Sequence, residues 1–260
     1  MNIFHLLIHI IYITSTRSSS TTTCNNTSNN NAIHLWSTPI HIVEDAMPTN
    51  SLPILIDIAK YLEKKYHTTH RSNRGIKSWQ SHNLLRTKRE AENNSVKVLV
   101  QKIRDVAIVF LKNGKEINER QIDVASLWFN INYEGDGHNI AHTHSDSVIS
   151  GVVYLQTSDI AKGGELVLLD PRSQVYALEA YNNWFGMARN QIIDPVLNRM
   201  VLFPSFVPHR VEAYESNRVL QENTSGASNA SSTKNCRISM SFNIRVLEQD
   251  LMLKDEVQGE

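Results

Sequence analysis

Seven short apolar runs between residues 123 and 246 limit what this chain can fold into. They are SLWFNINY (126–133), HNIAHTHS (138–145), VISGVVYLQ (148–156), GELVLLD (164–170), RMVLFPSFV (199–207), HRVEAY (209–214) and RISMSFNIRV (237–246). Each is rich in Val, Ile, Phe and Tyr, and turn residues separate them, as in a series of short β-strands. The turns EGDG (134–137) and AKGG (161–164) and the Pro171-Arg172 corner fall in the gaps. Upstream the period lengthens. Ile54, Ile58 and Leu62 recur at helical spacing behind Asn50-Ser51, a capping pair with Pro53 as the second helical residue. A second helix fits 95–112, where Val96, Leu99, Val100, Ile103, Val106, Ala107 and Phe110 make one stripe, the pattern of core packing. Helices first and seven or eight strands afterwards predict an α+β domain whose body is a β-sandwich or jelly roll.

The ends of the chain differ in composition from this body. Residues 1–20 contain an apolar run, Ile3 to Ile13, too short to span a bilayer but suited to the core of a signal peptide. No basic residue precedes the run, and His5 and His9 interrupt it, so an uncleaved frayed end is the alternative. Asn-x-Ser/Thr acceptors at Asn25, Asn26, Asn93, Asn223 and Asn229 agree with a secretory route; without a genuine signal the protein is cytoplasmic. Residues 21–32 lack the apolar side chains that offset ordering entropy and read as a disordered linker. A similar stretch at about 217–235 reads as a surface insertion between two strands, and 248–260 as a tail. The folded domain is thus 33–247. Two cysteines, Cys24 and Cys236, allow one bridge at most and exclude a disulfide scaffold. Lysine plus arginine and aspartate plus glutamate number 26 each, which argues against nucleic acid as a partner.

The chemistry concentrates in HTHSDS, 142–147. In an extended strand residues two apart point the same way, so His142 and His144 can reach one metal, as imidazole suits iron, copper, nickel and zinc. A second register pairs His144 with Asp146 and leaves His142 behind; strand alternation favours the first, because a turn begins near Ser145-Asp146. His209 follows the bent run LFPSFVP and opens a later strand, where it can stand opposite the pair. Arg237 alternates with Ser239 and Ser241 on one face of an otherwise apolar strand. A buried arginine needs an anionic partner, either a nearby Asp or Glu or a bound carboxylate.

Taken in order, WFNINY (128–133), HNxxHxH (138–144), ISGVVYL (149–155), GELVLLDPR (164–172), LFPSFVPHRV (202–211) and RISMSFN (237–243) resemble the 2-oxoglutarate–Fe(II) oxygenases, in the bacterial and phage-type branch with an H-x-H core. SNRGIKSWQS (72–81) and LWSTPI (35–40) fit the same branch. The resemblance spans roughly 33–247. It implies a double-stranded β-helix with supporting N-terminal helices, holding Fe(II) and the co-substrate 2-oxoglutarate and consuming O2, with ascorbate as an accessory reductant. It implies His142, His144 and His209 as metal ligands, Asp146 being the alternative. Arg237 with Ser239 would grip the far carboxylate of 2-oxoglutarate, assisted by Tyr154 or Asn132. The implied reaction is hydroxylation of a small molecule or peptide with release of succinate and CO2. Two departures stand out: a histidine where most of the superfamily has a carboxylate ligand, and a long insertion between His209 and Arg237. A non-catalytic jelly-roll module, or a cupin-type metalloenzyme without 2-oxoglutarate, would accept three histidines but would not require Arg237. Trp128, Trp184 and Phe185 could line a substrate groove, although such aromatics more often serve the core.

Overall fold

A computed structural model describes residues 38–66, 77–111, 117, 119–157, 161–172, 190–216 and 236–247. The signal-peptide, linker, insertion and tail readings, together with Cys24, Trp184 and Phe185, lie outside the described residues. Eleven strands and three α-helices form among those described. The helices are α1 (Ser51–Lys65), α2 (Lys88–Ala91) and α3 (Asn94–Leu111). The strands are β1 (His41–Val43), β2 (Ser78–Gln80), β3 (Ile122–Tyr133), β4 (Gly137–His142), β5 (Ile149–Gln156), β6 (Ala161–Lys162), β7 (Leu166–Leu169), β8 (Asn190–Ile193), β9 (Met200–Pro204), β10 (His209–Ser216) and β11 (Cys236–Val246).

Both helices expected from apolar spacing are present, within one residue of their predicted ends for α3. The capping expectation for α1 is corrected. Asn50 takes a helical conformation and its side chain makes no cap hydrogen bond. The Ser51 N–H instead donates to the Pro48 carbonyl at 2.9 Å, so backbone satisfies an orphan donor of the first turn. For α3 the cap is Asn93, whose Oδ1 accepts from the Ser95 N–H at 2.9 Å. All seven predicted strand runs are strands. The four additional ones, β1, β2, β6 and β8, have two to four residues and lack a readable alternation.

The strands make two facing antiparallel sheets, the jelly-roll arrangement of a double-stranded β-helix. One runs β1-β9-β5-β11-β3-β2; the other runs β4-β10-β7-β8, with β6 beside β10. The centre of the first is the ladder β3–β11–β5, in register along Trp128–Ser241–Val152 and Asn130–Ser239–Tyr154. Pleating sorts the side chains. Leu127, Phe129, Ile131, Ile238, Met240, Phe242 and Val153 pack outward against Leu55, Leu62, Leu99 and Ile103 of α1 and α3. Their neighbours in sequence, Trp128, Asn130, Asn132, Arg237, Ser239, Ser241 and Tyr154, face the other sheet. A smaller apolar cluster there, Val152, Leu166, Leu168, Val201, Phe203 and Val207, joins the sheets at one end. Each fully buried Leu or Ile of the helix-side core contributes about 1.5–3 kcal/mol.

Gly151 is required by a close approach. A Cβ at this position would stand 2.3 Å from the Phe242 ring, which lies across the strand. A bulge on β3 at Ala125 breaks its register with β11 between Asn243 and Ile244. Asn83 stitches that bulge, with Nδ2 donating to the Ala125 carbonyl at 3.0 Å and Oδ1 accepting from the Leu127 N–H at 3.1 Å.

His41 is 2% exposed, stacks on Phe110 at 5.9 Å between ring centroids, and leaves Nε2 without a hydrogen-bond partner. Burial pushes its pKa below 6.5, so the fold holds it neutral. Its contribution to stability is complete above pH 6.5 and is lost as the pH falls towards the lower folded value. Denaturant unfolding at pH 7.5 and pH 5 should show a loss of stability on acidification that shrinks in His41→Phe. An equal loss in both proteins would contradict this assignment.

Candidate metal centre and active site

Strand β4 brings His142 to its last residue, where it pairs with His209, the first residue of β10. The hydrogen-bonded strand therefore ends two residues before His144. His144 lies two residues past the strand end, and its N–H donates to the Ser205 carbonyl at 3.2 Å. The rings nevertheless converge. Centroids of His142 and His144 are 5.0 Å apart, His142 and His209 4.4 Å, and His144 and His209 5.1 Å. One ring nitrogen from each residue falls within 4.8 Å of the others, a separation a single ion can bridge. This is the one such group of His, Cys, Asp or Glu among the described residues. Asp146 is not part of it. That residue is exposed, has a left-handed backbone (φ 60°), and uses its carbonyl to accept from Arg245 Nε at 3.0 Å.

Two of the three rings are anchored through Nδ1 to backbone. His142 Nδ1 lies 2.7 Å from the Ile140 carbonyl, and His209 Nδ1 lies 3.0 Å from the Val207 carbonyl. A carbonyl only accepts, so each ring carries its proton on Nδ1 and presents the Nε2 lone pair. His209 is 6% exposed, and its pKa falls to about 3 through burial, reinforced by neighbouring His142. A neutral imidazole is the form that binds metal. The chemistry of the donor set therefore fits a divalent transition metal such as iron.

Arg237 sits deeper on β11. It is 2% exposed, and its guanidinium hydrogen-bonds only to neutral groups, with Glu165 acting on it at longer range. Nη1 donates to the Gly164 carbonyl at 2.8 Å, and Nη2 to Asn132 Oδ1 at 3.0 Å and Ser239 Oγ at 3.3 Å. The guanidinium carbon stands 5.4 Å from the Tyr154 ring centroid. Nε has no partner, and neither does the Tyr154 hydroxyl. Burial pulls the arginine pKa down and pushes the tyrosine pKa up. The expected alternative of a salt bridge to a protein carboxylate is absent among the described residues. Gly164 has φ +76°, and a Cβ there would stand 3.1 Å from Arg237 Cδ, so glycine lets this turn close over the arginine.

Between the histidines and Arg237 lies a cavity of about 180 Å³. Arg237 is the only Lys, Arg, Asp or Glu on its described wall. Of the described residues predicted for the site, all but Asp146 either line this cavity or brace Arg237 from behind. The wall also holds Ser241, expected on the face of Arg237, and residues that the motifs did not single out: Gln80, Asn130, Ser150 and Asn243. The period-two run Trp128-x-Asn130-x-Asn132 was the signal available for Asn130. Gln80 comes from a three-residue strand with no readable period, although it lies within the block SNRGIKSWQS. Trp128 is buried on this wall, with Nε1 unpartnered and its ring 5.8 Å from that of His144.

Residues 126–221 match a family model described as "Putative 2OG-Fe(II) oxygenase". No curated protein matches the chain in sequence. Among solved structures, a prolyl hydroxylase from Trichoplax adhaerens, in complex with a hypoxia inducible factor peptide fragment, superposes with a TM-score of 0.52 at 13% identity, covering 85% of this chain and 87% of its own. The α-ketoglutarate-dependent epimerase SnoN from nogalamycin biosynthesis gives 0.51 at 11% identity, covering 80% and 77%. At these identities the likeness is one of fold.

The titration of His209 tests the electrostatics directly. In metal-free protein its imidazole NMR shifts should stay those of the neutral ring down to pH 5, with protonation only in far more acidic solution. A midpoint near pH 6.5 would contradict the burial described.

Proposed function

We propose that this chain, whose residues 126–221 match a family model of 2-oxoglutarate–Fe(II) oxygenases, is an iron- and 2-oxoglutarate-dependent dioxygenase that hydroxylates a small molecule or a peptide. The observation that carries the reading is Arg237. A guanidinium buried among neutral groups, with an unspent Nε donor beside an unspent tyrosine hydroxyl, is prepared for an anion that the protein itself does not supply. A carboxylate of 2-oxoglutarate supplies it.

The residues then take separate tasks. His142, His144 and His209 hold iron through Nε2, and Asp146 stays in solvent. Arg237 binds the far carboxylate of the keto acid, while Ser239 and Asn132 keep its fork in plane and Tyr154 donates its hydroxyl to the same group. Val152, Leu166 and Phe203 form an apolar side of the cavity and reduce access of water. When bound, iron and the keto acid together supply the oxidation of a substrate C–H by O2, with release of succinate and CO2. One relative of this fold was solved with a peptide, the other belongs to the biosynthesis of a small molecule, and zero net charge gives no attraction to a polyanion.

Purified protein given iron, ascorbate and 2-oxoglutarate should form succinate without added substrate, and His144→Ala should abolish it. In Arg237→Met the KM for 2-oxoglutarate should rise roughly 10- to 100-fold, the scale of a lost charged hydrogen bond. Its folded stability should change little, since removal of a buried charge with no protein carboxylate beside it is offset by the loss of its hydrogen bonds to Gly164, Asn132 and Ser239. Succinate formation by Arg237→Met with an unchanged KM would overturn the reading.

A further inference from the structure

We propose that Asn243 is a positioning residue that fixes His144 for metal binding by accepting a hydrogen bond from its Nδ1–H, with Ser150 holding the amide in place. The inference rests on the reading of His144 as a ligand.

His142 and His209 have their tautomers set by carbonyls, as described. His144 has a different partner. Its Nδ1 lies 3.3 Å from the side-chain amide of Asn243, across 99 residues of sequence. One end of an amide donates and the other accepts, so this partner is compatible with either tautomer. With Nδ2 towards the ring, the arrangement seen here, Nδ1 accepts and the neutral ring carries its proton on Nε2, where a metal would have to displace it. With Oδ1 towards the ring, Nδ1 carries the proton and Nε2 is free, the state already imposed on the other two rings.

Rotating the amide costs no hydrogen bond, because its far end meets a hydroxyl. Ser150 Oγ lies 2.9 Å from Asn243 Oδ1 and 2.8 Å from Ser205 Oγ, and Ser205 in turn accepts from Ser147 Oγ at 3.0 Å. After rotation Nδ2 donates to Ser150 Oγ, and the Ser150 hydroxyl turns its own proton to Ser205. Ser150 and Ser205 are 2% and 1% exposed, which shields the chain from competing water. The backbone places these groups deliberately. Asn243 is the cross-strand partner of Ser150, and it sits at the bulge where β3 and β11 lose register. Partners of this kind orient a ligating imidazole and raise metal affinity.

The test uses Co(II) as the probe on the full-length protein. Wild type should bind Co(II), and His144→Ala should lose most of that affinity. Asn243→Leu should weaken binding roughly 10- to 100-fold, and Ser150→Ala should weaken it less. Asn243→Asp should bind as tightly as wild type, because a carboxylate can only accept. In Zn(II)-loaded wild type, ¹⁵N NMR should find His144 protonated at Nδ1, a readout that needs no variant to fold. Wild-type affinity in Asn243→Leu, a loss in Asn243→Asp equal to that in Asn243→Leu, or an unprotonated His144 Nδ1 would each overturn the proposal. Wild-type affinity in His144→Ala would instead overturn the ligand assignment, and this inference with it.

Discussion

The structure depends on the register of a single antiparallel ladder, β3–β11–β5. Both of its faces are covered, one by α1 and α3 and the other by the second sheet, so every residue is committed to one of two environments. Apolar side chains fall on the helix side and amides, hydroxyls and one guanidinium on the other. A slip of one residue would exchange the two sets, carrying Arg237 among Leu99 and Ile103 and leaving Met240 in the polar cavity. That penalty, several buried polar groups at once, fixes the pairing far more strongly than any single contact.

Within the polar face, charge is distributed sparingly. Three imidazoles held neutral would leave the full double charge of a metal ion uncompensated by protein, where a carboxylate ligand would cancel part of it. Arg237 adds a further positive charge on the same cavity, with no acidic side chain on the described wall and only Glu165 acting from outside it. Both features favour a ligand carrying two negative charges, one at each end. Gathering three histidines and leaving Arg237 without a hydrogen-bonded protein carboxylate would thus be two aspects of one electrostatic design. The desolvation cost of an unpaired guanidinium, several kcal/mol, falls on the ligand-free protein and is relieved on binding.

Much of this was legible in the sequence, for reasons that differ residue by residue. The helical stripe of α3 and the alternation in RISMSFNIRV are local patterns, and they gave the elements and the inward face of Arg237. The convergence of His142, His144 and His209 follows the expected alternation, but β4 stops at His142, and a backbone hydrogen bond to Ser205 holds His144 beyond the strand end. Gln80 and the bracing of Arg237 by the Gly164 carbonyl escaped notice because they depend on contacts far apart in the chain. The side-chain cap expected for α1 failed since backbone geometry at Asn50 removed the need for it. Short edge strands such as β1 and β8 carry too few residues to show a period at all.

Phe242 connects compartments that the ladder otherwise keeps apart. It belongs to the helix-side core, yet its ring also reaches the cavity wall, in the space left by the missing side chain of Gly151. The residue next to it in sequence is Asn243. Drift in the packing of the helices, which a protein ordinarily tolerates as silent variation in its interior, is therefore conveyed by one rigid ring to the neighbourhood of His144. A change at Phe242 would therefore bear on the interior of the fold and on the shape of the cavity at once.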